Sequence, residues 1–288
     1  MTTTAIEVSN LTKSYGKTEV LHGISFFIQQ GEIFALLGVN GAGKTTALEC
    51  MEGLCRYEQG EIKIKGGIGI QLQSSSLPKN MKGKEAVRFF SKWKHVNPDE
   101  KILRAVGADT LLNKQYGDMS TGQKRRLHLA LSMLGEPDIL FLDEPTAGLD
   151  VEGRAALHGE LRRLKRQGKT IVLASHDMSE VEQLCDRAAI LKDGKIETIG
   201  APAELVQDFQ GGFLLQLRFS SPPDLQAIGH CKYVNDDCGY WTFETKDLAG
   251  ALEEIAVLSK RQGISIRDVR LKQESLEDRF LAIAKEGK

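Results

Sequence analysis

GVNGAGKT, residues 38–45, fits the spacing G-x-x-x-x-G-K-[ST] in full. Gly38, Gly41 and Gly43 let backbone N–H groups turn inward around phosphate oxygens, and a helix opening behind them adds its partial positive charge. Lys44 then reaches the β- and γ-phosphates of a nucleotide as a point charge, and the Thr45 hydroxyl takes a place on Mg²⁺. Such a cradle needs a carboxylate at the end of a neighbouring buried strand, and ILFLDEP supplies Asp143 to hold the magnesium through water. Glu144 follows directly, a second acid with no obvious partner in the sequence. Two adjacent buried carboxylates are costly unless a cation or a proton transfer uses them. Glu144 is therefore the candidate general base, polarising a water that attacks the γ-phosphate.

The elements around these residues are the ones this chemistry needs. EIFALL leads into the glycines as an apolar strand, and KTTALECMEGL continues from them as a helix. IVLAS and ILFLD are short, apolar and rich in branched residues, as expected of strands buried on both faces of a parallel sheet. Helical stretches follow each, so the βα alternation points to a doubly wound α/β core. Upstream, AIEVSNLTKSY, EVLHGISFFIQ and GEIFALLG alternate in strand fashion with GK and QQG as turn signals.

Apolar residues recur at helical spacing over 84–93 and 100–106, which predicts a mostly helical insert up to about residue 117. Phe89, Phe90 and Trp93 lie close together in it, either as a docking surface or as the insert's own core. After Gly211 and Gly212, the stretches LLQLRFS, PPDLQAIG, CKYVND, GYWTFET, DLAGALEEIAVLSKRQ and SIRDVRLK read as β-α-β-β-α-β, a ferredoxin-like order. The expected organisation is a nucleotide-binding domain at 1–210, with its helical subdomain at about 74–118, and a small α+β accessory domain at 213–288.

MSTGQKRR, residues 119–126, places a good N-cap, Ser120, before a helix whose free N–H groups suit an anion. Leu127, Ala130, Leu131 and Leu134 mark the buried stripe that fixes the helix direction. Lys124, Arg125 and Arg126 oppose the helix dipole slightly, so they are expected to be solvated or paired with acids.

Taken in this order, the residues resemble the ATP-binding cassette (ABC) ATPase family. MSTGQ resembles its signature, usually LSGGQ. Tyr15 stands at the position of the adenine-stacking aromatic, Gln73 in IGIQLQ at that of the Q-loop glutamine, AGLD (147–150) at the D-loop, and His176 in ASHD at the switch histidine. Gln71 is the fallback if the register slips by two. The resemblance covers residues from about 5 to 200. It implies a P-loop NTPase core in which a parallel sheet carries an antiparallel β-subdomain and a helical subdomain.

It also implies a head-to-tail dimer, homomeric or with a related ATPase, that sandwiches two ATP molecules. Asn40, Thr46 and Asp150 would join the cradle residues on the nucleotide, with Ser120, Gly122 and Gln123 reaching it from the other subunit. Thr45, Gln73 and Asp143 would serve the magnesium. His176 would hydrogen-bond the γ-phosphate and hold Glu144 and the attacking water in line, with Gln73 completing the catalytic set. Two departures stand out: Thr121 replaces a usual glycine in the signature, and the connection between GEIKIKGG and IGIQLQ is short.

In the 288 residues, 38 Lys and Arg against 39 Asp and Glu leave a formal charge of -1, so no global positive field favours nucleic acid, and no nucleic-acid partner is expected. Five cysteines, with no CxxC pair, fit a reducing compartment. No run approaches the roughly 18 apolar residues of a membrane helix, so membrane work must use another subunit. SLEDRFLAIA (275–284) resembles the ending of the drug- and antibiotic-export branch, which implies a polytopic membrane permease as partner and a place on the cytoplasmic face of the membrane. An importer subunit, or an ABC ATPase acting on nucleic acid or ribosomes, is the alternative. The insert lacks the heptad run of DNA-organising relatives, and only one cassette is present where ribosome-acting relatives usually carry two.

Overall fold

The computed structural model describes residues 3–72, 76–98, 100–207, 213–224 and 229–272. The chain divides into two compact units, Met1–Pro202 and Ala203–Lys288.

The first unit opens with β1 (Thr4–Tyr15) and β2 (Thr18–Gln29), a hairpin turning at Gly16 and Lys17. Ile6, Val8 and Leu11 on β1 and Leu21, Ile24, Phe26 and Ile28 on β2 are buried, while the residues between them are mostly wetter. That alternation marks a sheet with one face on the core. β3 (Ile33–Leu37) is buried at every position and leads through the glycine-rich loop into α1 (Lys44–Met51). β4 (Gln59–Ile64) pairs antiparallel with β1 to complete a three-stranded sheet, β2-β1-β4, and a three-residue connection then enters β5 (Ile68–Gln71).

A helical stretch follows: α2 (Gly83–Trp93), α3 (Glu100–Ala105), two short 3₁₀ turns and α4 (Thr121–Ser132). Ala86, Val87 and Ser91 form the buried side of α2. Phe89 and Trp93 instead lie 60% and 67% exposed and meet Phe90 edge-on, so these aromatics line the surface of the insert rather than fill its core.

The alternation then becomes regular through β6 (Ile139–Asp143), α5 (Val151–Arg166), β7 (Thr170–Ser175), α6 (Met178–Leu184), β8 (Arg187–Lys192) and β9 (Lys195–Gly200). The main sheet runs β5-β6-β7-β3-β8-β9, parallel except for the β8–β9 pair. β6 and β3 flank β7, and the register sets Asp143 opposite Ala174 and Leu37 opposite Ser175. Three strands therefore end side by side. Ligands of such sheets sit beyond the carboxyl ends of the strands, where these three deliver the glycine loop, Glu144 and His176 together.

α7 (Pro202–Gln207) straddles the boundary between the units. The second unit carries β10 (Phe213–Phe219), β11 (Lys232–Asp237), β12 (Tyr240–Thr245), α8 (Leu248–Gln262) and β13 (Ile266–Lys272). Its antiparallel sheet has the order β11-β12-β10-β13, with Leu215, Leu217 and Phe243 packed with Ala251 and Ile255 of α8. The stretch PPDLQAIG, expected as the first helix, includes 225–228, which lie outside the described residues, as does SLEDRFLAIA.

Candidate active site

Two glycines of the loop between β3 and α1, Gly38 and Gly43, admit no side chain. A Cβ on Gly38 would stand 2.5 Å from the Leu191 carbonyl oxygen. Gly43, the N-cap of α1, has φ 103°, and a Cβ there would meet Leu21 at 2.8 Å. With no capping side chain at Gly43, the first N–H groups of α1 are left for an external acceptor. Lys44 is buried, its ammonium donating to the carbonyls of Gly38 at 2.7 Å and Val39 at 3.1 Å. Burial lowers its pKa, while the charges of Glu144 and Asp143 act the other way. Asn40, Gly41 and Thr45 lie on the exposed side of the loop and Thr46 is half-buried.

Asp143 ends β6 with its carboxyl pushed upward by burial and pulled back by a hydrogen bond with the Thr45 side chain. Its Oδ1 is buried without a hydrogen-bond partner in the protein. A buried carboxylate oxygen beside a hydroxyl suits a hard divalent cation that keeps its other positions for water and phosphate. Among the described residues no group of three or more His, Cys, Asp or Glu gathers as a metal cage.

Glu144 follows with φ 47°, a left-handed conformation that costs a non-glycine residue roughly 1–2 kcal/mol and clusters at functional positions. Its N–H extends the ladder to the Ala174 carbonyl at 3.0 Å. The carboxylate is buried, and the Nδ1 of His176 lies 2.8 Å from both of its oxygens. The His176 side chain is 57% exposed, so the imidazole covers the acid from the solvent side. Acid and imidazole are the first residues beyond two adjacent parallel strands, so the strand register brings them together.

Ser120 caps α4 as its composition predicts. Its Oγ accepts from the Gln123 N–H at 3.3 Å, and the Gln123 side chain accepts from the Ser120 N–H at 3.1 Å, a reciprocal capping box. Lys114 also donates to Gln123 Oε1 at 2.8 Å, so that side chain is committed to holding the helix start. Asp150 caps α5 through Gly153 N–H at 2.8 Å. Ser120, Gly122, Leu149 and Asp150 line one groove, and no residue of 38–46, nor Asp143, Glu144 or His176, shares it. The glycine loop and the α4 N-terminus thus do not share this groove.

A family model described as ABC transporter matches residues 21–147. The linearmycin resistance ATP-binding protein of Bacillus subtilis (strain 168) is 30% identical, with 96% of this chain and 97% of that protein aligned. The chain belongs to the ABC transporter family. It is an ATP-binding subunit and an ATPase. The Nod factor export ATP-binding protein I of Rhizobium meliloti (strain 1021) is 34% identical over 81% of this chain and 75% of that protein. Among solved structures, an ATP-binding subunit of an ABC transporter has a TM-score of 0.64 at 26% identity, covering 71% of this chain and 93% of its own. The ADP conformation of an ATP-binding cassette superposes with a TM-score of 0.65 at 20% identity over 70% and 93%, a likeness of fold alone.

In this ABC ATPase Tyr15 closes β1 with its ring 49% exposed, Lys13 Nζ 4.9 Å from the ring centroid and its hydroxyl 3.4 Å from Cys55 Sγ. The contact with Cys55, then burial, pushes the phenol up to about 12, against a hydrogen bond with Thr46. That bond puts the hydroxyl near the first turn of α1. Gln73 lies outside the described residues, while Gln71 ends β5 buried, its amide without a protein partner.

Lys124 and Arg125, expected to be solvated or paired with acids, instead meet a ring and a carbonyl. Lys124 stands over the Tyr116 ring at 5.0 Å. Arg125 is half-buried, its Nη2 3.5 Å from the Ala147 carbonyl, its charge felt by Asp143 and Glu144. It links α4 to the loop before α5, and the Thr121 methyl lies near Gly148 of that loop. The sequence reading also passed over Glu180, His158 and Ser175, all buried. The signal was there in part: Glu180 stands between residues of a buried stripe, beside Val181 and one turn from Leu184.

Proposed function

We propose that this chain is the ATP-hydrolysing subunit of an exporter, energising passage of a small molecule or peptide of drug or antibiotic type through a separate membrane permease. The observation that carries the reading is the near end-to-end similarity to a protein named for linearmycin resistance, which includes the second unit. The relatives named for Nod factor export agree with it. No helix among the described residues is long and apolar enough to cross a membrane; in this reading a partner supplies the path and the chain works on the membrane's cytoplasmic face.

In this reading Lys44 and the N–H groups of 38–46 hold the ATP phosphates, with Tyr15 against adenine. Thr45 and Asp143, with Gln73, hold Mg²⁺, which neutralises charge on the phosphates. Glu144 accepts the proton of the attacking water, and His176 keeps that carboxylate aimed through Nδ1 while Nε2 meets the γ-phosphate. The signature surface at Ser120 and Gly122 serves the ATP of a second copy or a related ATPase, because it shares no groove with the cradle of its own chain. Closure of the two chains on ATP moves the helical inserts, whose exposed Phe89 and Trp93 contribute to the permease contact.

Co-purification tests this. A tagged Glu144→Gln variant, which binds ATP and does not turn it over, is expected to bring down a polytopic membrane protein from solubilised membranes. Recovery of nucleic acid or ribosomes, with no such protein, contradicts the export reading.

A further inference from the structure

The switch histidine is carried on a closed ring of hydrogen bonds. Ser175, the last residue of β7, is fully buried; its hydroxyl donates to Glu180 Oε2 at 2.6 Å and accepts from the Asp177 N–H at 3.0 Å. Glu180 N–H in turn donates to Asp177 Oδ1 at 3.1 Å. The ring encloses the backbone of His176 on both sides and leaves its imidazole outside, against Glu144. Two residues one turn apart on α5 hold the ring from behind. Arg154 Nη1 is 2.8 Å from Asp177 Oδ2, and His158 Nε2 is 3.4 Å from Glu180 Oε1. Burial alone would raise the Asp177 carboxyl, but bonds from Ser179 and from the Glu180 N–H, with the Arg154 charge, hold it low.

Stability does not account for Glu180. The carboxylate is 1% exposed, its Oε1 lacks a well-aligned hydrogen bond, and an apolar residue packs a short helix against a sheet at lower cost. What a carboxylate supplies there, and an apolar side chain does not, is an acceptor that fixes the Ser175 hydroxyl. That hydroxyl then fixes the Asp177 N–H, and with it the direction in which His176 leaves the strand.

We propose that Glu180 and Ser175 are positioning residues for ATP hydrolysis, acting through His176. The proposal rests on the reading of His176 and Glu144 as the catalytic pair, and it extends the machinery to a buried carboxylate that reaches them only through Ser175 and the backbone around His176.

The test is a double-mutant cycle in the full-length protein, with kcat and KM for ATP measured for wild type, His176→Ala, Glu180→Leu and the double variant. Glu180→Leu is expected to lower kcat about tenfold or more with KM unchanged, since small misplacements of a catalytic group are costly. In the His176→Ala background the same substitution is expected to change kcat by less than about twofold, because its effect runs through the missing imidazole. Glu180→Gln keeps an acceptor for Ser175 and is expected to restore most of the turnover. Equal losses in both backgrounds, or no loss in either, overturn the proposal. A His176→Ala protein with full kcat removes the underlying catalytic pair and the proposal with it. If Glu180→Leu does not fold, Ser175→Ala breaks the same link in the same cycle, with the same outcomes expected.

Discussion

His176 Nδ1 lies 2.8 Å from each carboxylate oxygen of Glu144, across the junction of two adjacent parallel strands. An imidazole facing both oxygens restricts the acid to one rotation about its last bond. Glu144→Gln is therefore expected to cut ATP turnover by about 100-fold or more while ATP binding persists, the loss typical of removing a general base. Single-turnover hydrolysis beside equilibrium nucleotide binding checks this. Near-normal turnover would move the base elsewhere.

The glycines of the cradle should differ in tolerance. Gly38→Ala sets a Cβ 2.5 Å from a backbone oxygen of β8, which cannot yield without moving the strand. Gly41→Ala meets nothing within 4 Å and bears only the strain of φ 85°, about 1 kcal/mol. The first is expected to abolish ATP binding, the second to lower the melting temperature by a few degrees and keep binding. Equal effects would mean that the loop is not shaped as described.

Glu52 caps the C-terminal end of α1 with both carboxylate oxygens buried and unpartnered, and burial, then the charges of Asp143 and Glu49, pushes its pKa up to about 7. The folded state keeps this proton where the unfolded chain releases it. Stability should thus be complete at acid pH and fall as pH rises from about 4.5 to about 7, by up to roughly 1.4 kcal/mol per unit. Glu52→Gln is expected to flatten that slope in denaturation without nucleotide or magnesium. Identical slopes in the two proteins would refute the buried proton.

Much of the site was legible because its parts are local. A glycine loop between a strand and a helix, or an acid pair after a buried strand, is a pattern written in consecutive residues, and the parallel register then brings Leu37, Asp143 and Ser175 to one edge. What stayed hidden depends on elements that meet only in space. Glu180 reads as one more helix residue until His158 and Ser175 are seen beside it. Arg125 reads as one of three cations, and only the fold turns it toward Ala147. Helical spacing located Phe89 and Trp93 but could not choose their side, because spacing defines a face without its partner.

In the proposed ATP sandwich the Ser120 surface of one chain completes the cradle of another. Lys44→Ala and Ser120→Arg are each expected to be inactive in ATP hydrolysis, the first for want of a phosphate-binding cation, the second from a bulky side chain on the signature surface. Mixed in equal amounts, they are expected to form dimers in which one site pairs an intact Lys44 with an intact Ser120. ATPase activity of the mixture well above the sum of the two separate proteins is the predicted result. A mixture no more active than that sum would contradict it, because each chain would then be carrying its own defect within a site of its own.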